Sequence, residues 1–198
     1  MKILFFDIET TGLNPNEHAI IQLSCIADID GEIKGVFNES IAPFPGAKIS
    51  DQALETNGKE WEEIKGYQSP LEAFRKLTAF LDTHVSKFDS KDKFFLCGYN
   101  NTAFDNSFLR RFFERNFSKF FGSYFWSNSL DVMAMASERL IYLRPLMESF
   151  KLGAVAKAAG LNVDDSRLHD GLYDVELTRG IYYKCAAGVT RWMIIPLP

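Results

Sequence analysis

The chain is short of cysteine, histidine, net positive charge and long apolar runs, and each shortage narrows what it can do. Its three cysteines, Cys25, Cys97 and Cys185, lie far apart and form no CxxC pair. That pattern argues against a disulfide framework or a zinc site and predicts buried thiols in a reducing compartment. No apolar run approaches the roughly 18 residues that mark a membrane span. Asp7 and Glu9 come too early to leave room for a signal-peptide apolar region. The expectation is a cytoplasmic protein without membrane contact. Lys and Arg number 22 against 26 Asp and Glu, a formal net charge of −4. Long, tight, non-specific binding to duplex nucleic acid draws on a basic footprint that this chain lacks. Carboxylates that gather divalent cations would restore positive charge locally. Internal repeats and low-complexity linkers are absent too, and 198 residues suit one compact domain covering 1–198.

Phenylalanine is abundant, at 18 residues, and predicts an aromatic core. Ile3-Leu4-Phe5-Phe6 is a continuous apolar run, the mark of a strand buried on both faces. Turn residues over 11–16 break the chain. Residues 20–29 and 36–41 read as two further strands, joined through the hairpin signal Asp30-Gly31-Glu32. Residues 94–98 and 129–132 read as a fourth and a fifth strand. Helical patterns fall over 50–57, around Leu71, Phe74, Leu77 and Leu81, from about Ala103, from the fifth strand through Leu143, over 152–159 and over about 170–186. The polar stretch 86–93 reads as a solvated loop. Three strands in succession, then strands alternating with helices, predict an α/β fold: a mixed five-stranded sheet flanked by helices.

Three short segments concentrate acidic residues where the predicted elements begin or end. Asp7 and Glu9, two apart in a strand, project from one face just as the first buried strand runs out. Two adjacent carboxylates repel unless cations neutralise them, although a solvated pair at a strand end fits the same residues. Asp105 follows the fourth strand and the turn Gly98-Tyr99-Asn100-Asn101, at the expected start of a helix. An acid there also favours the helix N-terminus electrostatically. His169 and Asp174, five apart, would not share a helix face. Both reach one centre only if His169 sits on a lead-in loop, Asp170 near the N-cap and Asp174 inside the helix. Taken together, Asp7, Glu9, Asp105 and Asp174 form an all-oxygen set suited to two Mg²⁺ or Mn²⁺ ions rather than zinc. A neutral histidine beside such a set can act as general base.

The strings DIETTG, GYNNTAFD and HDGLYD, in this order, resemble the three motifs of the DEDDh (DnaQ-like) 3′→5′ exonuclease family. The second motif, with Phe125-Trp126 and Leu130-Asp131-Val132-Met133 after it, is most similar to the exonuclease I branch. The resemblance implies a ribonuclease H-like fold and hydrolysis of the terminal phosphodiester of single-stranded nucleic acid, DNA favoured, to nucleoside 5′-monophosphates. It makes Asp7, Glu9, Asp105 and Asp174 the metal-binding carboxylates and His169 the general base. It makes Thr10, Thr11, Gly12 and Leu13 contacts of the terminal nucleotide, with Asn101 and Phe104 bordering the same pocket. Gly171 stands where the family usually has Ala, a change expected to be harmless. Exonuclease I also carries further domains that grip DNA, for which 198 residues leave no room.

Two other readings accompany this one: an exonuclease for RNA or short oligoribonucleotides, and a non-catalytic module that tethers nucleic acid or a polymerase. A polymerase or another replication or repair protein is the partner class implied, and relatives of this size can act as homodimers. Arg110, Arg111, Arg115 and Lys119 make up the best basic patch. The phenylalanines from 112 to 121 are expected mainly in the core. The apolar tail 192–198 is expected to pack on the domain or to meet a partner.

Overall fold

A computed structural model describes residues 1–187; the apolar tail 192–198 lies outside the described residues. Five strands form one sheet in the order β3-β2-β1-β4-β5. These are β1 (Lys2–Thr10), β2 (Ile20–Ile29), β3 (Glu32–Ser40), β4 (Phe95–Gly98) and β5 (Leu130–Asp131). β1 runs antiparallel to β2 and parallel to β4, and β5 is parallel to β4, so the sheet is mixed as expected.

The central position of β1 explains its composition. Leu4, Phe6 and Ile8 face one core cluster, beneath helices α3 (Pro70–Asp82) and α4 (Asp105–Arg115). Ile3 and Phe5 face a second cluster, beneath α6 (Val132–Arg139), α7 (Leu152–Ala158) and α8 (Gly171–Ala186). Both faces are covered, so an unbroken apolar run is the stable solution. Short helices α1 (Asp51–Asn57), α2 (Trp61–Ile64) and α5 (Phe121–Tyr124) are the other α-helices among the described residues. None of the described helices is long and apolar enough to cross a membrane, and the three cysteines are free and buried.

Several boundaries move. β3 starts at Glu32, not 36, because Asp30 and Gly31 (φ 55° and 88°) form a tight turn that pairs Ile29 with Glu32 at once. β3 is an edge strand with exposed Ile33 and Val36, so it carries little apolar alternation to read. The second-motif helix starts at Asp105 rather than Ala103, after a turn in which Asn100 takes φ 63°. The helix expected through Leu143 ends at Arg139 and gives way to a 3₁₀ turn over Arg144–Leu146. Four-residue helices α2 and α5 leave no mark in the sequence, since one turn has no periodicity to detect. Phe112, Phe113 and Phe121 are core residues, whereas Phe117 is 95% and Phe120 43% exposed.

Candidate active site

Alternation along β1 sets the geometry. Asp7 and Glu9 continue the row of Ile3 and Phe5, which is the face that α8 covers. α8 is N-capped by Asp170, whose side chain accepts from Leu172 N–H, and Asp174 lies one turn further in. The turn before it places His169 at φ 73°, and the His169 backbone N–H donates to Asp174 Oδ2 at 3.3 Å. The predicted layout of loop histidine, N-cap Asp170 and helical Asp174 is thus the one observed. Gly171 sits tight against β2: a Cβ there would lie 2.7 Å from Ser24 Oγ. Ser24 is paired with Asp7 in the β1–β2 ladder, so the small residue lets the start of α8 approach the acidic strand end.

Asp105 arrives from the other side of the sheet. Gly98, closing β4, has no room for a side chain: a Cβ would stand 2.7 Å from Asn101 Cβ and 3.0 Å from the Phe6 carbonyl. The following turn is clamped by Asp131, a residue to which the sequence alone assigns no role. Its carboxylate accepts from Asn100 N–H (3.1 Å) and Thr102 N–H (3.4 Å) while capping α6 through Met133 and Ala134 N–H. The turn is therefore fixed to the adjacent helix, and Asp105, 7% exposed, is held at the head of α4.

Asp7 and Glu9 sense the other carboxylates. Burial pushes Asp7 well above the ordinary carboxylate range, and the charges of Asp105, Glu9 and Asp174 push it further. Glu9 is raised to about 7, first by burial and then by Asp174 and Asp105. Asp105 is raised to about 7 by burial, against the pull of the Asp105 and Ile8 backbone N–H groups. Asp174 is raised mainly by burial, while the His169 backbone bond and His169 itself pull it down. Among the described residues, no three acidic, histidine or cysteine side chains close into a ready-made ion cage.

The donor set nevertheless fits hard divalent cations. Asp174 Oδ1 is buried and has no hydrogen-bond partner, a costly condition for a carboxylate oxygen unless a cation meets it. Four oxygen-bearing side chains converge on one strand end, with no sulfur ligand among them. Asp7, Glu9, Asp105 and Asp174 are the residues that would hold the ions.

A cleft of about 290 Å³ adjoins Glu9, walled by Thr10, Gly12, Leu13 and Phe104 together with Ser50, Thr56 and Asn57. The α1 wall is not legible in the sequence because those residues carry no charge signature. Asn57 Nδ2 donates to the Thr10 carbonyl at 2.9 Å and ties α1 to the end of β1. Gly12 has no space for a side chain either, since the His18 ring would lie 2.2 Å from its Cβ.

Two expected pocket residues stand elsewhere. Thr11 is fully buried, its hydroxyl donating to the Lys48 carbonyl and accepting from Ala19 N–H, so it braces the loop instead of facing the cleft. Asn101 is also fully buried, with Nδ2 on Asn106 Oδ1 and Oδ1 unpartnered. It supports the turn from within, because Gly98 leaves a space that only Asn101 fills. The basic patch also shrinks. Arg115 donates to the Pro15 and Asn16 carbonyls and stacks on Phe44 at 3.9 Å, which commits it to structure.

Comparison with known proteins bears on this arrangement. The model of the RNase T family, described as exonuclease, matches residues 4–182. A PolC-type DNA polymerase III of Pediococcus pentosaceus is 26% identical over 92% of this chain, which spans only 11% of that polymerase. A ribonuclease T of Shewanella denitrificans is 27% identical over 94% of the chain and 79% of its own length. Escherichia coli exonuclease I, solved with a dT13 oligonucleotide, superposes with a TM-score of 0.71 at 22% identity, covering 96% of this chain and 41% of its own. At that identity the likeness concerns the fold: the same mixed five-stranded sheet flanked by helices.

Proposed function

Because this chain belongs to the RNase T exonuclease family, we propose that it removes nucleotides from the 3′ end of single-stranded nucleic acid, DNA in preference, as nucleoside 5′-monophosphates. The observation that carries this reading is the meeting of four carboxylates from three separate segments beside a cleft of about 290 Å³. A terminal nucleotide enters between residues 9–13, α1 and Phe104, with its phosphodiester over Asp7 and Asp174. Glu9, Thr10 and exposed Leu13 line the cleft that would receive its sugar and base.

Two divalent cations, Mg²⁺ or Mn²⁺, supply charge neutralisation for the phosphodiester and lower the pKa of the attacking water when bound. His169, on the loop beside Asp174, takes the proton from that water as general base. The water oxygen bonds to phosphorus, the bond to the upstream O3′ breaks, and that oxygen takes a proton from solvent, leaving the shortened strand with a free 3′-hydroxyl. Asp174 orients the His169 loop through its backbone N–H. A pure tethering module would have no need of four clustered carboxylates, two of which, Asp7 and Glu9, are pushed up by the charges of the others.

The test uses a 5′-labelled single-stranded DNA and its RNA counterpart with Mg²⁺ or Mn²⁺, beside an EDTA control and Asp174→Asn. A ladder shortening from the 3′ end, lost in both controls, is expected. Cleavage that survives Asp174→Asn removes Asp174 from the site. RNA ends are the second reading, favoured by the ribonuclease T relative that this chain matches over 79% of its length. Faster cleavage of the RNA strand would replace the DNA preference with that reading. A polymerase partner is a further element of the proposal, motivated by the PolC-type relative and tested by co-purification.

A further inference from the structure

On the outer face of α4 a second depression, of about 400 Å³, has no part in the cleft described above. Asn106, Arg110 and Glu114 recur every four residues, with Ser107 and Arg111 between them, and all five line it. The inner rows of the same helix, Phe108, Leu109, Phe112 and Phe113, are buried in the core. The polar face is therefore not needed for packing. Both depressions flank the turn 101–106: Phe104 faces the first, Asn106 and Ser107 the second. Asn106 Nδ2 also donates to Ser129 Oγ at 2.9 Å, and Ser129 contacts Thr102 of the same turn.

The chemistry of the groove is cationic and aromatic. Arg110 is exposed and its guanidinium lies 4.3 Å from the Phe121 ring, an arrangement that holds its plane in place. Arg111 is exposed and, among the described residues, pairs with Glu114 alone. Trp126 also lines the groove, its ring 5.9 Å from that of Phe95 and 5.3 Å from Lys93 Nζ. Guanidinium groups match phosphates, and an aromatic wall accepts any base by stacking. Arg110 and Arg111 lie five and six residues beyond Asp105, about 8–9 Å along the axis at 1.5 Å per residue.

We infer that the groove on the outer face of α4 is a strand-holding subsite for single-stranded nucleic acid, taking nucleotides upstream of the 3′ end. Arg110 and Arg111 meet phosphates, and Trp126 stacks a base. This rests on the exonuclease reading above. It gives an acidic chain a local basic foothold for its substrate, on the helix that carries Asp105. Glu114 limits that foothold, because it neutralises Arg111.

The experiment measures binding of a fluorescent dT12 strand by anisotropy in EDTA, so that no turnover is needed. Arg110→Gln/Arg111→Gln should weaken binding about tenfold or more. The slope of log affinity against log salt should fall by about 0.7 for each phosphate that is no longer neutralised, about 1.4 for the pair. Glu114→Gln should tighten binding, an effect of opposite sign that misfolding cannot imitate. In turnover with Mn²⁺, the kcat/KM advantage of dT12 over the dinucleotide should shrink about tenfold in the double variant. Unchanged dT12 affinity and salt slope in the double variant, or no tightening in Glu114→Gln, overturns the inference. Binding changes as expected in a protein that cleaves neither strand would uphold the groove and overturn the exonuclease reading.

Discussion

Glu9 provides a quantitative test of whether the acidic cluster is held against its own electrostatics. Its folded pKa of about 7 lies about 2.5 above the ordinary 4.5, which at about 1.36 kcal/mol per pKa unit amounts to about 3 kcal/mol. The folded protein binds this proton more tightly than the unfolded chain does. Stability linked to Glu9 is therefore full below about pH 4.5 and is lost as pH rises through about 7. Glu9→Gln keeps the shape and removes the charge. In EDTA at pH 8 the variant should be more stable than the parent by about 3 kcal/mol, or roughly 6–12 °C in Tm for a chain of this size. At pH 5 the gain should fall to about 1 kcal/mol or less, because the parent carboxyl is then protonated in the fold. Added Mg²⁺ should raise the Tm of the parent and do so less in the variant, whose exonuclease activity should be lost. Thermal unfolding at the two pH values, with and without Mg²⁺, reads all of this. Equal stability of the two proteins at pH 8 in EDTA, or a gain of the same size at pH 5, would refute the reasoning.

Three further outcomes follow from particular side chains. His169→Ala should lower kcat by about 10²–10⁴-fold, the usual contribution of a general base, with little change in Tm because the side chain is exposed; an unaltered kcat would end its assignment. Gly171→Ala should cost about 1–3 kcal/mol through overpacking against Ser24 Oγ, which stands 2.7 Å from the new Cβ. Urea unfolding should then show Ser24→Ala restoring part of that loss in the double variant, contrary to the harmless exchange that family composition suggests. Arg179 donates from Nε to Asp28 Oδ2 at 2.8 Å, and Asp28 is 1% exposed. Arg179→Ala should therefore destabilise by about 3 kcal/mol by leaving a buried charge unpaired, and adding Asp28→Asn should recover a measurable part.

How far the sequence carries the reading varies with the range of the interaction. Ile3-Leu4-Phe5-Phe6 announces a central strand because burial on both faces leaves no polar position in the run. The reading of Asp7 with Glu9, Asp105 and His169 with Asp174 follows from strand alternation, a turn before a helix, and a loop before an N-cap. All three are local rules that need no knowledge of neighbours. β3 and α2 read poorly because an exposed edge strand and a single helical turn leave no periodic trace.

The sequence by itself therefore determined the central strands, the main helices and which acidic residues stand at their ends. Only the tertiary structure decided what those residues meet. It turned Thr11 and Asn101 inward as braces, gave Asp131 its clamp on the second-motif turn, and committed Arg115 to the carbonyls of Pro15 and Asn16. It also supplied the α1 wall of the cleft and the tight seat of Gly171 on Ser24. The division has a physical cause. Backbone periodicity and capping act within a few residues, whereas burial, hydrogen-bond satisfaction and charge repulsion depend on segments that meet only when the sheet closes.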